Sequence, residues 1–201
     1  MISAHCFVAS KDLDEQAWLA ARRAGVTATM VAKSATKSGM ADLLENFGSP
    51  VHVNNFMAWG TAREPVIADW VKREFGIMPN SWLISAGEPL SPERWMLCTP
   101  DGLSLDHSEI SEIKTGGTVT PTIRIDHRRQ IQWQLLVTGA ERCLYVFEHR
   151  KDAGDDFEPG ELSWEWVYPD TDMQDELLQV ARTLQDQLVF RSWEEAEDAD
   201  E

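Results

Sequence analysis

The alternation of apolar and polar residues predicts five strands. Three short alternating segments lie around Ser81–Ala86, Arg94–Thr99 and Glu109–Thr115. The mostly apolar "RCLYVFEH" (142–149) is typical of a strand that is covered on both faces. The segment "ELSWEWVYP" (161–169) alternates Leu162, Trp164, Trp166 and Tyr168 with polar residues, so it predicts a fifth strand.

Helical periodicity and end signals predict the helices. The first predicted helix begins at a capping box of Asp12 and Glu15 and ends near Gly25, and a short second helix follows Thr27. The third runs from Asn54 to Gly76 and contains Pro65. The last two cover 126–138, which ends before Gly139, and Asp170 to Trp193. The order of elements predicts an α/β fold with one mixed central β-sheet flanked by helices. We expect a single domain over 1–192 and an acidic, frayed tail over 193–201.

Charge is distributed unevenly along the 201 residues. The net charge is −16, but residues 151–201 hold 3 basic and 17 acidic groups, a net of −14. The remaining 150 residues are close to neutral, so the overall acidity does not exclude nucleic acid as a partner.

Several features favour a cytoplasmic protein that does not enter a membrane. No stretch approaches 18 apolar residues, and "MISAHCFVASKDLDE" lacks the pattern of a signal peptide. The three cysteines, Cys6, Cys98 and Cys143, form no CxxC motif and suit a reducing compartment as buried small hydrophobic residues.

Three charged residues are candidates for chemistry. Side chains two apart on a strand share a face, so Ile110, Glu112 and Lys114 face one way, with Asp101 at the end of the preceding strand. Two carboxylates form a hard oxygen site suited to Mg²⁺ or Mn²⁺, and a lysine beside them can orient a water. The pattern thus predicts metal-assisted hydrolysis of a phosphodiester. A loose Asp…acid-x-Lys match should arise by chance on the order of once in such a chain, and a salt-bridged hairpin explains it equally well.

Four segments in a fixed order supply the context: "WGTAREP", "CTPDGL", "EIKTG" and "RRQIQWQLLVTG". Together with "WLAARRAGVTAT" they resemble the PD-(D/E)XK nuclease superfamily, and within it the lambda-exonuclease/YqaJ-type viral recombinase family. The resemblance runs from about Trp18 to Phe147 and implies a restriction-endonuclease-like core. Other hydrolase classes find no support, because the sequence has no zinc-spaced His pair, G-x-S-x-G or P-loop.

The resemblance also implies roles for individual residues. Asp101, Glu112 and the Ile113 carbonyl would be metal ligands, Glu64 would help to hold a metal or its water, and Lys114 would position the attacking water. Gln130 would be the active-site glutamine of the next helix, and Gln134, one turn later, would line the DNA path.

A second site is implied for the 5′-phosphate of a DNA end, formed by Arg22 with Thr27 and Thr29. Arginine suits phosphate because its planar fork donates two parallel hydrogen bonds. The chain departs from the family pattern here, because its "TAT" replaces "TAS" and the spacing before Gly25 differs by one residue.

The function implied by the resemblance is a Mg²⁺-dependent exonuclease with two ions in its active complex and Mn²⁺ as a substitute. It would degrade the 5′ strand of linear double-stranded DNA and leave 3′ single strands for an annealing partner in phage-type recombination, as a ring-shaped homotrimer around DNA. Alternatives are a Cas4- or RecB-like enzyme, a structure-specific endonuclease, and a catalytically inactive module that binds DNA ends.

Overall fold

A computed structural model describes residues 5–49, 52–87, 94–118, 120, 122–154 and 156–199, with side chains as far as residue 188. In these ranges the helices are α1 (Glu15–Arg23), α2 (Ala28–Ser34), α3 (Lys37–Glu45), α4 (Asn55–Phe75), α5 (Ile125–Thr138) and α6 (Thr171–Ala199). The strands are β1 (His5–Ser10), β2 (Val26–Thr27), β3 (Met78–Pro79), β4 (Trp82–Ala86), β5 (Met96–Cys98), β6 (Gly102–Leu103), β7 (Glu109–Gly116), β8 (Arg142–Ala153) and β9 (Asp156–Val167). No helix in these ranges is long and apolar enough to cross a membrane.

The helix ends mostly follow their local chemistry. The Asn54 carboxamide accepts a hydrogen bond from the Met57 amide at the start of α4, and Gly76 ends that helix at a φ of 74°. Gly139 ends α5 in the same left-handed conformation, with a φ of 70°. The first cap was predicted wrongly, because Asp14 rather than Asp12 accepts the amide of Ala17.

The backbone of α6 continues to Ala199, six residues beyond its predicted end. The predicted acidic tail therefore begins within this helix, and residues 200–201 lie outside the described part of the chain. The division into a domain over 1–192 and a tail stays a prediction.

The prediction of mixed α/β structure is confirmed, but that of one central sheet is wrong. The described strands form two mixed sheets, in the orders β1-β4-β5-β2 and β3-β6-β7-β8-β9. Each of two chain segments passes from one sheet to the other near a proline, at Pro79 and at Pro100. Proline has no N–H to donate to a neighbouring strand, which favours a break in the ladder at these points.

The five-stranded sheet is covered on both faces. On one face, α4 packs through Ile67 and Val71 in a cluster with Ile113 of β7. On the other face, Ile110 of β7 packs in the main core with Trp133 of α5, which is fully buried. Residues of even number on β7 therefore face α5 and those of odd number face α4, as the alternation predicted.

Candidate active site

The carboxylate of Asp101 is held at the seam between the two sheets. Its backbone N–H donates to the Ser111 carbonyl at 3.0 Å, and its own carbonyl accepts from the Asn80 amide at 3.0 Å. Its side-chain Oδ2 accepts the amide of Ile113 at 2.6 Å. Backbone and side chain are thus both fixed against β7, next to the face that carries Glu112.

Glu112 is the centre of a hydrogen-bonded network beneath α5. Its residue is 1% exposed and its carboxylate pairs with the Lys114 ammonium. Gln130 Nε2 donates to Oε1 at 2.6 Å, and Gln134 Nε2 donates to Oε2 at 2.7 Å. Gln134 is completely buried, so it holds Glu112 and does not line an open DNA path.

Burial and like charge act together on Asp101. Desolvation raises the pKa of its carboxyl well above the ordinary value, and the negative charge of Glu112 raises it further. Burial lowers the pKa of Lys114, but the charges of Glu112 and Asp101 outweigh burial and hold the pKa above its ordinary value. Two carboxyl groups therefore lie close to one ammonium group, and burial favours keeping a proton on Asp101.

Glu64 lies on the side of α4 that faces the same site. It is four residues before Ala68, which is buried against the sheet. Although much of Glu64 is exposed to solvent, partial burial raises its pKa, the positive charge of Lys114 lowers it, and the negative charge of Glu112 raises it. These influences place Glu64 within electrostatic range of the Glu112 network.

The donor set fits a hard divalent cation. Carboxylates and a backbone carbonyl are the ligands that Mg²⁺ and Mn²⁺ prefer. A cation would offset both the burial and the repulsion from Glu112 that raise the pKa of Asp101. Within the described ranges, no three His, Cys, Asp or Glu side chains converge closely enough to hold a metal on their own. The charge of Glu112 acts more strongly on the pKa of Asp101 than the charge of Glu64 does.

A cleft of about 450 Å³ opens beside the carboxylates. Arg22, Lys11, Trp18, Glu64 and Asp101 are among its lining residues. The Arg22 guanidinium lies 4.4 Å from the centre of the Trp18 ring. Burial lowers the pKa of Arg22. Two cations thus share one cleft with three carboxylates, those of Asp12, Glu64 and Asp101, and the two cations are suited to bind a phosphate group.

The structure does not bring the predicted threonines into this cleft. Thr27 is buried in β2, Thr29 is exposed on α2, and neither lines the cleft in the described part of the chain. Lys11 lines it instead. Sequence reasoning missed Lys11 because it lies in the turn between β1 and α1, where a lone lysine carries no signal.

Three arginines on or near α5 contact acidic or aromatic side chains of the same chain. Arg124 forms an ion pair with Asp126 at 2.9 Å, and Arg142 pairs with Glu109. Arg150 stacks against Phe56 and lies 4.2 Å from its ring centre. Two of these arginines therefore balance nearby acids.

Several solved structures share this fold. The alkaline exonuclease LHK-Exo from Laribacter hongkongensis is 22% identical with a TM-score of 0.61, over 90% of this chain and 98% of that chain. LHK-Exo in complex with dAMP matches with a TM-score of 0.62 at 24% identity, over 90% of this chain and 98% of that chain. A phage-related exonuclease from Haemophilus somnus 129PT matches with a TM-score of 0.61 at 11% identity, over 85% of this chain and 96% of that chain.

Sequence comparison gives the family. A search of curated proteins returned no match. The model of the YqaJ-like viral recombinase domain matches residues 17–141, more than half of the chain, and the matched range contains Glu64, Asp101, Glu112, Lys114 and Gln130. The chain therefore belongs to the family of YqaJ-like viral recombinase domains.

Proposed function

We propose that the protein is a Mg²⁺-dependent exonuclease that degrades the 5′ strand of linear double-stranded DNA. The observation that carries the proposal is the convergence of Asp101, Glu112 and Lys114 beside a cleft that also holds Arg22 and Lys11. Family membership and the likeness of fold to exonucleases support it. One of the solved structures holds dAMP, which supports a DNA substrate.

Metal binding is assigned to Asp101 and Glu112, with the Ile113 carbonyl and Glu64 completing the oxygen ligands. Bound Mg²⁺, with a second ion in the active complex, would supply Lewis-acid stabilisation of negative charge on the scissile phosphate. Mn²⁺ would substitute because it prefers the same ligands.

The chain's own residues perform the remaining tasks. Lys114 donates a hydrogen bond that orients the attacking water, and its ammonium charge stabilises the charge that develops on the phosphate. Gln130 and Gln134 hold the Glu112 carboxylate in a fixed orientation. Arg22 and Lys11 bind the terminal 5′-phosphate, which places the first phosphodiester bond at the carboxylates.

The proposed partners are double-stranded DNA ends, further copies of this chain in a trimeric ring, and a single-strand annealing protein. A Cas4-like enzyme with an iron–sulfur cluster is disfavoured, because such a cluster needs four cysteines and this sequence has three. Two of the three, Cys98 and Cys143, are buried in the core.

The test uses linear 5′-phosphorylated duplex with separate labels on its 5′ and 3′ ends, and closed circles, each with Mg²⁺ or EDTA. The protein should release the 5′ label from linear DNA in Mg²⁺ only, and D101N should not. D69N is the matched control, because Asp69 lies on the exposed side of α4 in a surface pair with Arg73.

Three other results of this experiment would each support a different function. Cleavage of circles would identify an endonuclease, and release of the 3′ label would reverse the polarity. Binding of DNA ends without cleavage in Mg²⁺ or Mn²⁺ would favour the inactive binding module.

A further inference from the structure

His127 extends the row of α5 side chains that faces the carboxylates. It lies three residues before Gln130 and seven before Gln134, so all three share one helix face. The two glutamines donate to Glu112. The charges of Lys114 and Glu112 both act on the pKa of His127, which shows that its imidazole lies near the same network.

Tyr145 fixes the orientation of this imidazole. It is the register partner of Glu112 across the parallel strands β7 and β8, so the two side chains share the face beneath α5. The Tyr145 hydroxyl lies 2.9 Å from His127 Nδ1, and the ring planes are tilted by 39°. Tyr145 is 7% exposed, so this hydrogen bond is shielded from water.

The protonation states of the two groups allow Tyr145 to donate this hydrogen bond. Burial raises the pKa of Tyr145 to about 12, so its hydroxyl is protonated at neutral pH and can donate. Burial lowers the pKa of His127, which keeps the imidazole neutral. A neutral imidazole that accepts at Nδ1 carries its proton on Nε2.

In that tautomer, His127 Nε2 is free to donate a hydrogen bond. No described residue accepts a hydrogen bond from it, and His127 is only half-buried, so a ligand can reach the ring. A phosphodiester bound at Asp101 and Glu112 would bring acceptor oxygens to this part of the site. A neutral donor suits this place because it adds no charge to the Lys114–Glu112 pair.

We propose that His127 Nε2 donates a hydrogen bond to a non-bridging phosphate oxygen of the bound DNA strand, and that Tyr145 positions His127 for this contact. The inference rests on the proposed function and adds a phosphate-binding residue to that site. Neither His127 nor Tyr145 belongs to the set that sequence reasoning selected.

Two substitutions of His127 separate the DNA contact from the contact with Tyr145. The amide nitrogen of Gln reaches the position of Nε2, whereas the Asn side chain reaches only that of Nδ1. H127Q therefore keeps the proposed donor, and H127N keeps a polar group toward Tyr145. Y145F removes the hydroxyl that fixes the tautomer.

The measurements are the single-turnover rate on labelled linear duplex in saturating Mg²⁺, the Kd for the same duplex in EDTA, and the Tm. H127N should lower the rate by about tenfold to a hundredfold, as expected for the loss of one hydrogen bond to a charged group. H127Q should keep most of the rate, and Y145F should fall between them. The double variant H127N/Y145F should be no slower than H127N, because the two residues act through one contact.

The variants also separate this inference from the proposed function. If wild type cleaves and H127N matches H127Q in rate and Kd, the inference is overturned while the nuclease stands. If the rates of H127N and H127Q fall in parallel with Tm, His127 has a structural role only. If wild type does not cleave, the nuclease proposal fails. In that case a higher Kd for H127N than for H127Q would still support the phosphate contact, and equal Kd values would overturn it.

Discussion

Replacing Arg63 should destabilise the protein strongly, because Arg63 neutralises a buried acid. Arg63 lies on α4, and its guanidinium donates to both oxygens of Glu148 on β8, through Nη2 at 2.7 Å and Nε at 2.9 Å. Glu148 is 2% exposed, and the hydrogen bonds to its carboxylate raise the pKa of Arg63. R63M keeps the aliphatic part of the side chain and leaves the carboxylate buried without a partner.

Removing one partner of a buried ion pair costs about 3–5 kcal/mol. Arg63 is 22% exposed, so the lower half of that range is expected. In a domain of this size, each kcal/mol lowers Tm by roughly 2–4 °C. We therefore expect R63M to lower the free energy of unfolding by about 3–4 kcal/mol and Tm by about 6–16 °C.

Urea unfolding followed by tryptophan fluorescence and circular dichroism measures this change. R63M/E148Q should be more stable than R63M, because the second substitution removes the buried charge. R73M is the control, since its pair with Asp69 is exposed on both sides and should contribute less than about 1 kcal/mol. A loss below about 1 kcal/mol in R63M, matching R73M, would refute the argument that burial makes this pair important.

Three further predictions concern the site and its surroundings. R22A should reduce the preference for 5′-phosphorylated over 5′-hydroxyl ends, measured as the ratio of their degradation rates, whereas R23A on the exposed side of α1 should not. Q134E should lower Tm more at pH 8 than at pH 5, because the new carboxylate would face Glu112 Oε2 and would repel it more when ionised. An equal loss of Tm at both pH values would contradict this prediction. Hydrogen bonds from Ser104 and Ser108 lower the pKa of Asp106 to about 2, below its unfolded value of roughly 3.9. Asp106 thus contributes stability that is present above pH 4 and lost as the pH falls toward 2, so the difference in Tm between wild type and D106N should shrink over that interval and stay constant above it.

Features controlled by short stretches were predictable from the sequence. The start and end of α4 follow from Asn54 and Gly76, whose chemistry acts within one helical turn. The strand period placed Glu112 and Lys114 on one face, and the structure joins them in an ion pair.

Features that depend on distant pairing were not predictable. The strand β1 (His5–Ser10) was missed, because its short segment is defined by pairing with β4, more than seventy residues away. The burial of Gln134 depends on how closely α5 approaches β7, which helical periodicity does not show. The contact between His127 and Tyr145 depends on the register of β7 with β8, which no local pattern specifies.

The seam at Asp101 has a consequence for dynamics. The Ile113 amide is bonded to Asp101 Oδ2, so this proton is protected from exchange with solvent only while the carboxylate stays in place. Movement of Asp101 away from β7 would break this bond together with the backbone bond from Asp101 to the Ser111 carbonyl. Hydrogen exchange at one amide therefore reads out how often the site is assembled, without substrate and without catalysis.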